Sequence, residues 1–299
     1  MSFSQEVKQE IEKSTNAARH CQLAEMASFI INAAQVDTSR GIIRFISDNE
    51  AIILRINNLL KKLYGSDTEI ISNSQRSNII EYSIEIYNAE DILKSVKYTS
   101  ENTISELLIK NTCCKRAVLQ TAFLCIGSVT DPEKGYHLEF VSADRERLLQ
   151  LKEILHGFEL SCGITARKNQ YVLYIKEGQA IVDLLNIMGA HVSLMNMENA
   201  IIMKDFRNGL NRKVNCETAN LIKTVNAGSR QIADIEYLQA HYGLDKLPEP
   251  LREIAYLRLD NPDISLKDLG EMLNPPVGKS GVNHRFRKIS EMVDKMQGK

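Results

Sequence analysis

Hydrophobic residues recur along this chain at two spacings, three to four apart or every second position, and the alternation between them predicts its elements. Phe3, Val7 and Ile11 fall on one side of a helix over residues 2–13. A denser apolar run, CQLAEMASFIINAA (21–34), predicts a second helix, followed by a strand, GIIRFIS (41–47). A helix EAIILRINNLLKKLY (50–64), strands near 68–72 and 79–87 and a helix over 90–98 complete a first block. About ninety residues later the order returns. It runs helix CCKRAVLQTAFLCIGSV (113–129), strand YHLEFVS (136–142), helix DRERLLQLKEILHGF (144–158), strands near 162–167 and 170–176, and a helix over 179–188. Self-similarity at a fixed period marks a duplicated unit. Two αββαββ-like units of this kind would bring two curved sheets together about a pseudo-two-fold axis.

Beyond the repeat the pattern is helical throughout. A helix over 198–206 leads into a turn at Gly209-Leu210-Asn211. Residues 217–241 form a helix with Leu221, Val225, Ile232, Ile235 and Leu238 inward, eased or bent at Gly228. Residues 244–250 read as a short hinge. Leu251, Ile254, Ala255 and Leu259 define the next helix, stopped at Asn261-Pro262. Ser265 stands at an N-cap position, with Asp268 three residues on to accept the reciprocal capping bond. Leu266, Leu269, Met272 and Leu273 give that helix a buried face, and Asn274-Pro275-Pro276 ends it. Val282, Phe286, Ile289 and Val293 form the inner stripe of a last helix over 279–296. The chain divides into residues 1–206, a basic linker and connecting helix over 207–246, and a three-helix module over 247–299.

Charge sharpens the picture of that module. The last helix turns Ser280, His284, Arg287 and Lys288 away from its stripe, with Asn283 and Arg285 on the flanks and no acidic residue from 279 to 288. The whole chain carries a net charge of −1, so any polyanion surface must be local. A major groove admits one α-helix, and Asn, Arg and Lys read adenine and guanine edges there. The arrangement reads as a helix-turn-helix whose last helix is the recognition helix. Ser280, Asn283, His284 and Arg287 would face the groove. Lys279, Arg285 and Lys288, with Lys267 on the preceding helix, would hold phosphates; Ser265 and Gly281 complete the candidate set. Arg207, Arg212 and Lys213, in the other locally basic stretch, are candidate secondary DNA contacts. The bland reading of both stretches is a solvated basic face. The connection over 274–278 is also longer than the usual turn of about 3–4 residues. Gly278-Lys279-Ser280 resembles the end of a phosphate-binding loop, but Leu273 stands where that motif needs glycine.

The remaining chemistry is mostly exclusion. The 43% apolar and 25% charged composition is that of an ordinary globular chain. The start has no apolar signal region and no run approaches a membrane span, so a cytoplasmic, nucleoid-associated product is expected. Six cysteines, at 21, 113, 114, 125, 162 and 216, show no CxxC pair, and the adjacent Cys113-Cys114 does not match a zinc-ligand spacing. Reduced, mostly buried thiols are expected, with no metal ligand and no cofactor. There is no HExxH and no GxSxG, and no catalytic residue is assigned.

With an apolar helix opening each half, the duplicated block resembles the LAGLIDADG homing-endonuclease fold. In that family the two opening helices pack together and each ends in an acidic residue that holds the catalytic metal. The second-copy helix here ends Phe123-Leu124-Cys125-Ile126-Gly127-Ser128, with Ile126 where the acid belongs. The first copy, Phe29-Ile30-Ile31-Asn32-Ala33-Ala34-Gln35, carries no carboxylate either. Metal-activated hydrolysis needs hard oxygen ligands, so strand scission is not expected. Asp131, beside Pro132, reads as a turn cap.

Four longer segments carry a second resemblance: AFLCIGSVTDPEKGYHLEF (122–140), NRKVNCETANL (211–221), QIADIEYLQAHYGLDKLPEPLREIAYLRL (231–259) and SLKDLGEML…PPVGKSGVNHRFRKI. Through them nearly the whole chain resembles the WhiA family. The fold class that follows is α+β: a duplicated αββαββ LAGLIDADG-like amino-terminal domain with a small all-α helix-turn-helix carboxy-terminal domain. The resemblance implies a sequence-specific, double-stranded-DNA-binding transcriptional regulator without nuclease activity. It further implies a role in cell division and chromosome segregation, and in sporulation where the species sporulates. Cations on the predicted strands are few, Arg44 and Lys176 among them, which favours recruitment of another regulator or a cell-division protein by the amino-terminal domain, or no DNA role for it, over a tight DNA saddle. No membrane and no small-molecule substrate are implied. The readings to set against this are a metal-dependent LAGLIDADG endonuclease and a structural or assembly protein with an acidic protein partner.

Overall fold

The computed structural model describes residues 1–66, 68–74, 80–99 and 101–298. Its contacts divide the chain into two units, Met1–Lys204 and Asp205–Lys299. In the first unit α1 (Phe3–Lys13) buries Val7 and Ile11. Then come α2 (Arg19–Ala33), β1 (Ala34–Asp37), β2 (Ile42–Ser47), α3 (Glu50–Tyr64), β3 (Ile71–Ser74), β4 (Ile80–Ile86) and α4 (Glu90–Ser95). The second copy is α5 (Thr112–Ile126), β5 (Gly127–Val129), β6 (Leu138–Ser142), α6 (Arg145–His156), β7 (Gly163–Arg167), β8 (Gln170–Ile175) and α7 (Gly178–Met188). Each copy makes its own antiparallel sheet, in the orders β1-β2-β4-β3 and β5-β6-β8-β7. Even the caps repeat. Asn49 and Asp144 accept from the amides of Ala51 and Glu146, and Ser47 and Ser142 accept from the amides of Asn49 and Asp144.

β1 and β5 are absent from the sequence reading, which ran the second opening helix on to residue 129. Each strand is only a few residues long and starts at the residue after a helix ends, so no local periodicity announces it. Pairing across the sheet makes them strands: Ala34 sits opposite Phe45, and Gly127 opposite Phe140. A Cβ at Gly127 would stand 2.5 Å from the Phe123 ring, so the corner where α5 becomes β5 needs glycine. Ile79, the first residue of the strand expected over 79–87, lies outside the described residues.

α2 and α5 pack against each other and are enclosed by the rest of the unit, which is why both are apolar nearly all round. Ala24, Ala27 and Ser28 on one and Ala117, Thr121 and Ala122 on the other are buried, and the Ser28 hydroxyl donates to Val118 O at 3.3 Å. The one charged side chain buried in this pair, Glu25, is paired with Arg55 at 2.6 Å and accepts from Asn16 at 2.7 Å.

α8 (His191–His241) departs from the sequence expectations. It runs unbroken through 209–211, where a turn was expected, and stays helical through Gly228. A glycine inside a helix costs only about 1 kcal/mol, too little to end it. Gly228 instead admits a close approach, with Pro262 O 3.1 Å from where a Cβ would stand. Leu221 and Val225, expected inward, are 64% and 51% exposed; α8 buries Ser193 and Met197 near its start and then nothing until Gly228, beyond which Ile235 and Leu238 are buried. Its first amides, Val192 and Ser193, donate to the Glu10 carboxylate at 2.6 and 3.1 Å.

The expected hinge is packed: Leu244–Lys246 is a 3-10 turn, and Leu244 and Leu247 are buried. Three helices follow, α9 (Glu249–Asp260), α10 (Leu266–Glu271) and α11 (Lys279–Gln297). Their core joins Ile235 and Leu238 to Leu251, Ile254, Leu269 and Leu273 and to the α11 stripe. Each such side chain contributes about 1.5–3 kcal/mol. Among the described residues no helix is long and apolar enough to cross a membrane.

Candidate nucleic-acid interface

Ser265 caps α10 as its position predicts, accepting from Asp268 N at 3.3 Å. The return bond differs from the expected one: the Ser265 hydroxyl donates to the Asp268 carboxylate at 2.8 Å. That hydroxyl is therefore occupied within the cap. α10 is short, and Met272, expected inward, is 50% exposed because the helix ends before it. The chain then folds back, and Val277 N donates to Gly270 O at 2.9 Å. Any Cβ at Gly270 would collide with Val277 O, so this glycine is what lets a connection with two prolines close tightly. Sequence reading passed over Gly270, although a glycine inside an apolar stripe was the available signal.

A second missed residue is Arg258, 2% exposed. It donates to the carbonyls of Asn261, Pro262 and Ile264 at 3.3, 3.2 and 2.7 Å and lies 5.5 Å from the Phe286 ring centroid. It thus ties the α9–α10 loop to the floor of α11. The stripe Leu251, Ile254, Ala255 continues at position 258, not at the half-buried Leu259. Burial lowers the Arg258 pKa from its ordinary value, with Asp263 opposing.

Val282, Phe286, Ile289 and Val293 are buried as their spacing predicts. That fixes the rotation of α11 and turns Lys279, Ser280, Asn283, His284, Arg287 and Lys288 to solvent, all exposed. Gly281 is half-buried close to the Val277 side chain. Arg285, expected to hold phosphate, is drawn back to α9, donating to Pro250 O at 3.3 Å and pairing with Glu253 at 3.5 Å. Arg287 pairs with Glu291 at 3.1 Å and Lys267 with Glu271 at 3.7 Å. Both are exposed i,i+4 pairs, worth a few tenths of a kcal/mol, which a phosphate or base edge can displace.

A cleft of about 250 Å³ brings Lys223, Lys267, Lys279 and Arg258 together beside Ser265 and Gly228, with no carboxylate in its lining. Lys223 had no signal in the sequence, since it joins the others only because α8 packs along this unit. Gly278 supplies no side-chain cap, so the first amides of α11 add to the local positive field. Of the secondary candidates, Arg207, Arg212 and Lys213 lie on a fully exposed stretch of α8, where Arg212 Nε donates to Asn208 O at 3.3 Å.

The amino-terminal unit presents different chemistry. Arg44 pairs with Glu85 at 3.1 Å, and Lys176 lies 4.8 Å over the Tyr174 ring. At the carboxy ends of α2 and α5, a cleft of about 390 Å³ is lined by Asn32, Ala33 and Cys125, with Lys8 of α1 beside them. Asp48 and Glu81 also line it, both from the first repeat. Burial lowers the Lys8 pKa, while Cys125, Asp48 and Glu12 oppose. Burial pushes the Cys125 thiol up to about 12, against Lys8 and Arg55. Asp131 caps its turn as expected, accepting from Glu133 N at 2.9 Å. At the amino ends of the same helices, His20, Cys21, Cys113 and Cys114 place their ligand atoms within 4.8 Å of one another. Cys113-Cys114 shows no zinc-ligand spacing along the chain, because this grouping forms only across the two helices.

Comparison with known proteins agrees with this architecture. The family model described as "WhiA LAGLIDADG-like domain" matches residues 115–207, and the one described as "WhiA C-terminal HTH domain" matches 210–293. The "Probable cell division protein WhiA" of Lachnoclostridium phytofermentans is 45% identical over 309 residues, covering 98% of this chain and 99% of that one. The protein of the same description from Lachnospira eligens is 42% identical over 310 residues, covering 99% and 98%. Among solved structures, full-length DUF199/WhiA from Thermatoga maritima aligns with a TM-score of 0.61 at 28% identity, covering 99% of both chains. The N-terminal LAGLIDADG domain of DUF199/WhiA aligns with a TM-score of 0.52 at 25% identity over 63% of this chain and 90% of that one. With both halves matched in order and relatives similar along their whole length, the chain belongs to the WhiA family.

Proposed function

We propose that this protein is a sequence-specific DNA-binding transcriptional regulator, acting at the chromosome in cell division, and that it does not cut the DNA it binds. The observation that carries this reading is the outer face of α11. Six polar or cationic side chains are exposed there, free of acids through Lys288, on a helix whose rotation is set by four buried residues. Asn283, His284, Arg287 and Ser280 read base edges; Lys279, Lys288, Lys267 and Lys223 hold phosphates on either side. Arg285 positions α11 on α9. Roles in chromosome segregation, and in sporulation where the species sporulates, follow from the family resemblance.

Absence of scission is supported by the carboxy ends of α2 and α5. Neither helix end offers a carboxylate, and the Lys8 ammonium lies beside Cys125, where a catalytic cation would have to sit. Among the described residues Arg44 is engaged by Glu85 and Lys176 by the Tyr174 ring, which supports protein recruitment by the amino-terminal unit.

The test is a salt-dependent binding titration on promoter DNA selected by genome-wide mapping of bound sites. Arg287→Ala weakens the preferred site by about 1–3 kcal/mol. Lys288→Ala weakens all sequences alike and lowers the salt slope by about one. Equal losses at every sequence from both variants would defeat the division of labour. Binding without salt dependence would favour an acidic protein partner instead. Nicking of supercoiled plasmid with Mg²⁺ or Mn²⁺ would overturn the non-cutting half of the proposal.

A further inference from the structure

His20 and Cys21 stand in the first turn of α2, Cys113 and Cys114 in the first turn of α5. Both helices have 15 residues, and with their starts aligned His20 matches Cys113 and Cys21 matches Cys114. The pseudo-two-fold packing of α2 on α5 therefore brings equivalent positions together, the buried Cys21 and Cys114 inside and the exposed His20 and Cys113 outside. His20 Nδ1 lies 3.1 Å from Cys114 Sγ, 3.4 Å from Cys21 Sγ and 4.0 Å from Cys113 Sγ. We propose that His20, Cys21, Cys113 and Cys114 form a closed tetrahedral site for a thiophilic divalent cation, zinc(II) foremost, that staples the amino ends of the paired helices.

The geometry suits the ion. Zinc–sulfur bonds of about 2.3 Å and zinc–nitrogen bonds of about 2.0–2.1 Å make a tetrahedron with edges of about 3.5–3.8 Å. The three nitrogen–sulfur separations bracket that edge, and the widest separation in the cluster, at most 4.8 Å, needs a contraction of about 1 Å, within side-chain reach. Three sulfurs and an imidazole are a soft donor set, which selects zinc over magnesium, calcium or manganese. Four protein ligands leave no open position, so the site is structural.

Charge suits it as well. Each thiol gives its proton to solvent as its metal–sulfur bond forms, and His20 binds through the Nδ1 lone pair with its proton on Nε2. Three thiolates around a dication leave one net negative charge at the positive ends of two helices. Neither Ala18 nor Asn111 provides a side-chain cap that would answer that field first.

The site is remote in kind from DNA binding, so its test is independent of the functional reading. Reduced, full-length protein is stripped with chelator and titrated with Co(II), then Zn(II). One Co(II) binds per chain with tetrahedral visible bands and a thiolate charge-transfer band, and one equivalent of Zn(II) erases both. Cys113→Ser and His20→Gln, at exposed positions that spare the core, each weaken binding at least about tenfold. Cys113→Ser also lowers the charge-transfer intensity by about a third, as two thiolates replace three. Cys162→Ser and Cys216→Ser change neither. A spectrum without tetrahedral character, or one unaltered in both ligand variants, overturns the site. So does a disulfide among these cysteines in freshly isolated, metal-free protein.

Discussion

At their amino ends α2 and α5 gather three thiols and an imidazole; at their carboxy ends they present Asn32, Ala33, Cys125 and Ile126, with Lys8 alongside. The two ends of one helix pair thus carry opposite chemistry. In the homing-endonuclease fold that this unit resembles, carboxylates stand at the carboxy ends, where the helix dipole disfavours negative charge, and a bound cation compensates them. Here the carboxy ends carry no acid of their own and a lysine supplies the positive charge the dipole favours. The amino ends, where the dipole favours anions, carry three thiols that the proposed metal would bind as thiolates. One scaffold keeps its packing while the end that can hold a cation changes.

The largest effect that would sharpen this contrast is metal removal. If zinc is present at about a thousand times its dissociation constant, stripping it costs about 4 kcal/mol, read as a drop in thermal midpoint that Zn(II) restores. Cys113→Ser should lose most of that difference, whereas Cys125→Ser should keep it all.

A smaller effect is expected at the other end. Ile126→Asp with Ala33→Asp restores the carboxylates in name but sets them half-buried beside Lys8. Each should destabilise by about 1–3 kcal/mol, and plasmid nicking should still be absent. Nicking by the double variant would show that only the acids were missing and that Lys8 is no obstacle.

The smallest concerns pH. The folded Cys125 thiol, pushed up to about 12, keeps its proton while an unfolded one with a pKa of 9.0 loses it. Stability from this group is therefore present below pH 9 and lost as the pH rises towards 12. Lys8 acts the other way, gaining stability as the pH climbs from its lowered folded value to 10.5. Cys125→Ala should flatten the alkaline loss by about 1 kcal/mol at pH 10 in chemical denaturation. An unchanged alkaline limb would mean that the thiol is not enclosed.

The carboxy-terminal module was the more legible half. Val282, Phe286, Ile289 and Val293 repeat at helical spacing, and that stripe alone determined which way Asn283, His284, Arg287 and Lys288 point. The duplication was legible for the same reason, as were the missing acid at Ile126 and the absence of any carboxylate over 29–35, since periodicity and position within a helix are local properties. What a local pattern cannot hold is a partner. Arg285 lies on the flank of the α11 stripe, where spacing does not show that it is drawn to Glu253, and Arg258 is buried because three loop carbonyls converge on it. β1 and β5 exist only through pairing with β2 and β6, and α8 stays helical through Gly209, where a turn was expected. The sharpest case is the His-Cys and Cys-Cys dipeptides, each uninformative by itself. The sequence determined two opening helices with matching registers; only their packing about the pseudo-two-fold set four soft ligands within 4.8 Å, because a metal polyhedron is a relation between surfaces far apart in the chain.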